Sequence, residues 1–512
     1  MLNTLPSTPQ WDVVIIGGGA TGLGCALDAA SRGLKTLLLE KYDFAKGTSS
    51  RATKLVHGGV RYLQQGNVRL VMEALHERGR LLKQAPHICH TLPFVLPFYR
   101  WWEKWYYGFG LTIYEWLSGK YSLGKTSVIS KRKLDEYLPA LKKDKIYGGI
   151  LYYDGQFDDS RLAICLAQSA ARAGAVLLNY CAVTGFTKTN GKITGVHAYD
   201  TESEIECSIN ATVVINATGV FADELLQLTE EGHMPTITPS QGIHIVIDKH
   251  FFEGNHALMI PKTDDDRVLF AIPWYDKVLV GTTDTAVSHI DAEPRALEDE
   301  IAFVISHFNR YAKQPIQRSD VKTIFAGLRP LAKSTGGKTA VMPRDHKITV
   351  LPSGLVHITG GKWTTYRSMA EHAIDAAIKA AGWPARDCQT RKQQLHGYTQ
   401  QPEKGHWGMY GSEAAAIRQL MQDNESLQQL IHPQYPFTAA EVVWATRFEM
   451  AITVEDMLAR RIRLLFIDAA AALATAPAVA RIMAGEMNKD ELWIAGQLQS
   501  FETLAKGYMV VA

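Results

Sequence analysis

Near its start the chain places apolar residues in short unbroken runs rather than in alternation. Val13–Ile16 is one such run and "KTLLLE" (35–40) holds another. Runs of this length between breakers predict strands covered on both faces, as in a parallel sheet. The segment between them reads as a glycine turn and then a helix, with Gly33 as its stop. The same strand signature returns in "ATVVINATG" (211–219), which ends in a small-residue turn. It returns again in "GLVHITGGKWTTYR" (354–367), where glycines lead into a helix-like run. Between these lies a β-rich block with hairpin signals, among them the Asn190-Gly191 turn of "TKTNGKITGV". Beyond about residue 400 the strand signals thin out and alanine-rich helical periodicity takes over, with "QQPEKGHWGMYG" as the linker.

Two further stretches have a bearing on membranes. "LLFIDAAAALATAPAVARIM" (464–483) is interrupted by Asp468, Pro477 and Arg481, and a spanning helix needs about 20 predominantly apolar residues. It reads as core helices. In the aromatic stretch 94–128, Trp101, Trp102, Trp105, Tyr106, Phe109, Ile113 and Trp116 are mostly three or four apart, flanked by Arg100 and Lys104. One helix face is therefore apolar, suited either to a membrane–water interface or to burial in a core or dimer contact.

Composition narrows the choice. A chain of 512 residues suggests two or three domains, and 46% hydrophobic with 21% charged residues is ordinary for a folded protein. A formal net charge of +2 gives no global reason to expect a nucleic-acid partner. The cysteines, Cys25, Cys89, Cys165, Cys181, Cys207 and Cys388, form neither a C-x-x-C pair nor a zinc spacing. No metal site or disulfide framework is expected, which fits a reducing compartment. "MLNTLPSTPQ" shows no charged n-region or apolar h-region of a secretory signal.

The chemistry begins with Gly17, Gly19 and Gly22, a G-x-G-x-x-G between strand and helix. The first glycine makes the tight turn, the second lets backbone approach a pyrophosphate, and the third lets helix and sheet pack closely. The diphosphate then meets helix N–H groups and the positive dipole end. Glu40 closes the second strand, where an acid binds a ribose 2′-OH. This predicts a dinucleotide without saying which. The later strands return only after long insertions, as if distant segments grip one large cofactor.

With those pieces assembled, the chain resembles the FAD-dependent glycerol-3-phosphate dehydrogenases of the respiratory type, within the D-amino-acid-oxidase-like flavoprotein superfamily. The resemblance rests on "TSSRATKLVHGGVRYL" (48–63), "INATG", "IPWYDKVLVGTTDT", "FAGLRPL" and "TGGKWTTYR", and extends through "RFEMAITVEDMLARRIRLLFIDAAAAL" in the helical tail. It implies an α/β fold: a Rossmann-type FAD-binding domain (10–90, 150–240 and 345–395), an interleaved antiparallel-sheet substrate- and membrane-facing domain (91–149 and 241–344), and an all-helical C-terminal cap (400–512). It further implies FAD held by Gly17, Gly18, Gly19, Thr21, Gly22, Glu40, Thr48, Ser49, Ser50, Lys54, His57, Gly58, Ala217, Thr218, Gly219, Gly361, Lys362 and Thr364. Arg61, Tyr62, Thr282, Arg329, Arg344 and Lys362 are implied around the substrate, sn-glycerol 3-phosphate. Arginine forks and charge-assisted bonds suit its phosphate.

The reaction implied is oxidation of the C2 alcohol by hydride transfer to the flavin N5, giving dihydroxyacetone phosphate. His244 is the preferred base and His57 the second candidate, with Arg329 and Lys362 stabilising the developing alkoxide. The resemblance also implies electron transfer to a membrane quinone, ubiquinone or menaquinone. With it come peripheral contact with the cytoplasmic face of the inner membrane and a homodimer. A glycerol-3-phosphate oxidase using oxygen is the nearest alternative, and an amine or 2-hydroxy-acid oxidase a more remote one. Two departures from the family pattern stand out, Arg51 in the first motif and Trp363 in "GKW".

Overall fold

Two large sheets interleave along the chain in the computed structural model, which describes residues 10–64, 66–229, 234–261, 263–264, 267–333 and 345–510. The first sheet runs in the order His346–Val350, Val356–Gly360, Ile205–Asn216, Trp11–Ile16, Thr36–Leu39, Val176–Leu178. All neighbours are parallel except the edge strand His346–Val350. Val13 and Ile15 enter one apolar cluster, Val14 and Ile16 the opposite one. Both faces are covered, which is why the strand reads as unbroken apolar sequence. The hairpin Cys181–Thr189/Lys192–Asp200 extends this sheet through an Asn190-Gly191 turn with both residues at positive φ (51° and 76°).

The second sheet has ten strands, drawn from Leu55–Val56, Cys89–Phe98, Ser127–Ser130, Gly148–Phe157 and the segment 237–332. Gly148–Phe157 pairs with Cys89–Phe98 over its whole length, so residues 150–157 build this sheet and not the first. Along the strand Ile237–Asp248, Ile243, Ile245 and Ile247 face a cluster built with the helix Glu298–Tyr311. Alternation turns His244 and Val246 to the other side, where Val246 meets a core shared with the C-terminal residues Trp444, Leu458 and Phe466. The C-terminal part is helical apart from one short hairpin, Leu430–His432/Tyr435–Thr438. Leu464–Ile467 and Ala469–Met487 are mostly buried, as core helices should be.

The aromatic stretch forms the strand Cys89–Phe98 and the helix Glu103–Ser118. Leu111, Tyr114 and Ser118 face inward, whereas Trp105, Phe109 and Trp116 are 67%, 71% and 79% exposed. This face is therefore not a core face. No helix among the described residues is long and apolar enough to cross a membrane.

Candidate active site

The glycine turn is built by contact as much as by conformation. Gly17 has φ +109°, and a Cβ there would lie 2.7 Å from the Ala217 carbonyl oxygen. A Cβ on Gly22 would lie 1.8 Å from the Gly17 carbonyl oxygen, so only glycine lets the helix Ala20–Ser31 begin against the turn. Beside it, Ser49 Oγ accepts the Ala20 N–H at 2.9 Å. Glu40 accepts the Gly18 N–H at 2.5 Å and the Tyr42 N–H at 2.8 Å. Burial raises its carboxyl above the usual range.

These residues open onto a cavity of about 440 Å³ lined by Gly17, Gly19, Thr21, Glu40, Thr48, Ser49, Ala217, Thr218, Gly219, Gly361 and Lys362, among others. A second cavity of about 290 Å³ is lined by His57, Tyr62, His244, Thr282, Arg329, Lys362 and Thr364. Thr48, Pro330, Gly360, Gly361, Lys362 and Trp363 line both. The two spaces thus meet along the 48–49 turn and the glycine pair before Lys362. Trp363 sits at the junction and donates from Nε1 to the Ser49 carbonyl at 2.9 Å.

Five residues expected at the cofactor line neither cavity. Gly18 and Gly22 shape the turn from behind. Ser50 is buried, its hydroxyl 3.5 Å from the Gly47 carbonyl. Gly58 donates its N–H to Tyr114 Oη at 2.7 Å, and that hydroxyl donates to Asp154 at 2.7 Å. Lys54 is wholly buried and donates to Ser50 O at 2.8 Å and Asp159 Oδ2 at 2.7 Å. Burial, with Arg463 beside it, pushes its ammonium down to about 7. Arg344 lies outside the described residues, as does the side chain of Arg61 on the helix Val60–Gln64.

His244 is 2% exposed, stacked on Phe325 at 5.0 Å, with Nε2 2.9 Å from Thr53 Oγ1. Burial, then Lys54 and Arg329, hold its value well below the ordinary 6.5, so the ring is neutral near pH 7. Arg329 donates to Gln241 O at 3.2 Å, Thr282 Oγ1 at 3.1 Å and Thr283 O at 2.9 Å, and stands 3.5 Å from Asp284. Lys362 Nζ lies 3.9 Å from the Tyr62 ring centroid, a cation–π contact. The His57 N–H meets Thr364 Oγ1 at 3.2 Å, and the same hydroxyl reaches the His57 carbonyl at 3.3 Å.

Some lining residues carry no signal in the sequence. Arg267 follows a run of aspartates and reads as a surface charge, yet it lines the second cavity. Thr53 stands inside the first motif, but only the fold puts it against His244. Arg51, one of the two departures from the family pattern, does not face solvent. It is buried, with both Glu293 oxygens at 2.8 Å and Ala326 O at 3.1 Å, and lines the second cavity.

Comparison with known proteins then decides the family. A family model described as "FAD dependent oxidoreductase" matches residues 12–376, and one described as "C-terminal domain of alpha-glycerophosphate oxidase" matches 356–492. The mitochondrial glycerol-3-phosphate dehydrogenase of Mus musculus is 37% identical over 96% of this chain and 72% of its own length. That of Arabidopsis thaliana is 39% identical over 94% of this chain and 83% of its own. The chain belongs to the FAD-dependent glycerol-3-phosphate dehydrogenase family. The glycerol-3-phosphate dehydrogenase of Bacillus halodurans, solved in complex with FAD, superposes with a TM-score of 0.78 at 29% identity, covering 98% of this chain and 96% of that one. The L-α-glycerophosphate oxidase of Mycoplasma pneumoniae shares the fold at 18% identity, TM-score 0.58, over 75% of this chain and 98% of its own. As a member of this family the chain is an FAD-dependent oxidoreductase. The glycine cradle, the helix N-terminus and the long two-part cavity fit that cofactor.

Proposed function

We propose that the enzyme oxidises sn-glycerol 3-phosphate to dihydroxyacetone phosphate and delivers the electrons to a membrane quinone. The observation that carries this reading is the meeting of the two cavities at Lys362: a cation-lined space for a small anion opens onto the glycine-lined space for the cofactor. Gly17, Gly19, Thr21 and the N-terminus of the helix Ala20–Ser31 would hold the FAD diphosphate, with Glu40 at a ribose and Thr48, Ser49, Gly361 and Lys362 along the remainder. Bound FAD would supply the redox chemistry, taking a hydride from the alcohol carbon. Arg329, fixed by two backbone carbonyls and a hydroxyl, presents a preset cation to the phosphate or the developing alkoxide. Lys362 offers a second cation, and its contact with Tyr62 restricts where that cation sits. His244, neutral near pH 7, takes the hydroxyl proton, and a dianionic substrate would offset the field of Lys54 and Arg329 that weakens it as a base. His57 remains the second base.

The exposed aromatic helix with Lys104 supports peripheral membrane contact, which would bring the enzyme to its quinone; the cytoplasmic side belongs to the same reading. A homodimer belongs to the same reading. The C-terminal match to a domain named for the oxidase favours a second reading in which oxygen is the acceptor. Anaerobic mixing with sn-glycerol 3-phosphate tests the substrate, because the flavin absorbance should bleach. Rapid recovery with a short-chain quinone and slow recovery with oxygen supports the dehydrogenase. Fast recovery with oxygen and stoichiometric peroxide supports the oxidase, and absence of bleaching overturns the substrate.

A further inference from the structure

Lys54 and Arg463 both have left-handed backbone, with φ 62° and 65°. Such a conformation is unfavourable for a residue other than glycine and persists only where its surroundings over-determine it. Their surroundings are the same. Lys54 Nζ and Arg463 Nη2 each donate to the Ser50 carbonyl at 2.8 Å, and each pairs with Asp159, at 2.7 and 3.1 Å. Asp159 also accepts the Ala52 N–H at 2.9 Å. All three side chains are at most 1% exposed. Two cations from opposite ends of the chain therefore converge on one carbonyl and one carboxylate, out of reach of water.

The segment they hold has a working end on either side. Before Ser50 come Thr48 and Ser49, which line the cofactor cavity. After it comes Thr53, bonded to His244 Nε2. Arg463 itself lines neither cavity. It belongs to the C-terminal domain, just beyond the π-helical turn Asp456–Arg461, and its guanidinium lies 4.2 Å from the Phe466 ring centroid. We infer that Arg463 is a positioning residue of the active site: together with Asp159 and Lys54 it fixes residues 50–54, and through Ser49 and Thr53 sets where both the cofactor and His244 sit. The C-terminal domain is in this sense part of the redox site, without touching anything that reacts. The inference rests on FAD being the cofactor.

The test compares Arg463→Met and Arg463→Lys with Arg461→Met. Arg461 is equally buried, but its partners are Asp43 and the Glu449 carbonyl, not the 50–54 segment. FAD release is followed by the rise of flavin fluorescence on dilution, the flavin environment by visible circular dichroism, and the fold by thermal melting. Arg463→Met is expected to release FAD about tenfold faster or more, as loss of a charge-assisted bond implies, with an altered flavin spectrum. Arg463→Lys should fall between it and wild type. Arg461→Met should lower the melting temperature yet release FAD within about twofold of wild type. A wild-type release rate and spectrum in Arg463→Met overturns the inference, as does equal release from Arg461→Met at an equal loss of melting temperature. Where Arg463→Met does not fold, Arg463→Lys and Lys54→Met carry the same comparison with the same outcomes. Wild-type protein that binds no FAD would defeat the cofactor reading itself.

Discussion

Gly242 offers a way to move the substrate cation without changing any charge. It lies in the strand Ile237–Asp248 at an ordinary φ, so an alanine there meets no backbone penalty. Its missing Cβ would stand 2.2 Å from Arg329 Nη2, 2.7 Å from Cζ and 2.6 Å from Thr282 Oγ1. Heavy atoms rest at about 3.5–4.0 Å, so the guanidinium must give way by roughly 1 Å or more. It is the end of a flexible side chain and can yield, so Gly242→Ala should cost about 1–3 kcal/mol of stability, the usual range for an overpacked site. The bonds to Thr282 and Thr283 at 3.1 and 2.9 Å do not survive that move. A misplacement of about 1 Å in a positioning group costs on the order of 100-fold in rate, or about 2.7 kcal/mol. Steady-state kinetics with sn-glycerol 3-phosphate, read beside melting temperature and flavin content, should show kcat/KM down about 100-fold with FAD fully retained. A folded, flavin-loaded Gly242→Ala enzyme with kcat/KM within about twofold of wild type would refute the placement of Arg329 on the substrate.

Three further outcomes are expected. Gly281→Ala puts a Cβ 2.2 Å from His244 Cδ2, against a ring backed by Phe325, and should lower kcat about 100-fold with FAD bound; an unchanged kcat transfers the base to His57. Because burial, Lys54 and Arg329 hold His244 well below 6.5, the acid limb of kcat/KM should lie below that pH. Lys54→Met removes one of the opposing cations, so the limb should move to higher pH, and a static limb in a folded variant counts against His244 as the base. Replacing Trp105, Phe109 and Trp116 together by serine should weaken sedimentation with anionic vesicles about tenfold or more while sparing turnover in detergent; unchanged sedimentation moves the membrane contact elsewhere.

The cofactor side of the fold was legible because its reasons are local. Tight turns force glycine at Gly17 and Gly22, and two covered sheet faces force the unbroken run Val13–Ile16. The substrate side was legible only through family resemblance, since Arg329 and Lys362 taken singly look like surface charges. Whether His244 faced a core or a site was set by strand parity, which the flanking isoleucines announce, but its partner Thr53 arrives from another strand region altogether. Lys54 was misplaced for a related reason. A cation next to a cofactor motif suggests an anion, whereas its counter-charge, Asp159, comes from a distant segment that no local pattern links to it. The strand at 148–157 likewise joined the second sheet because its partner, 89–98, is decided by register rather than by composition.

The interleaving of the two sheets also dictates when a functional enzyme can first exist during synthesis. The strand Trp11–Ile16 is made well before its neighbour Ile205–Asn216, and the edge pair 346–360 comes later still. Domains usually fold as units while the chain is still emerging. Here neither sheet is a continuous unit, and one face of the second waits for Trp444, Leu458 and Phe466. A nascent chain shorter than about Lys362 lacks part of the lining that the two cavities share, and one shorter than Arg463 lacks the clamp on the 50–54 segment. FAD capture thus waits until both Lys362 and Arg463 have been made, and the early strands spend a long stretch of translation without their partners, exposed to chaperones and to one another.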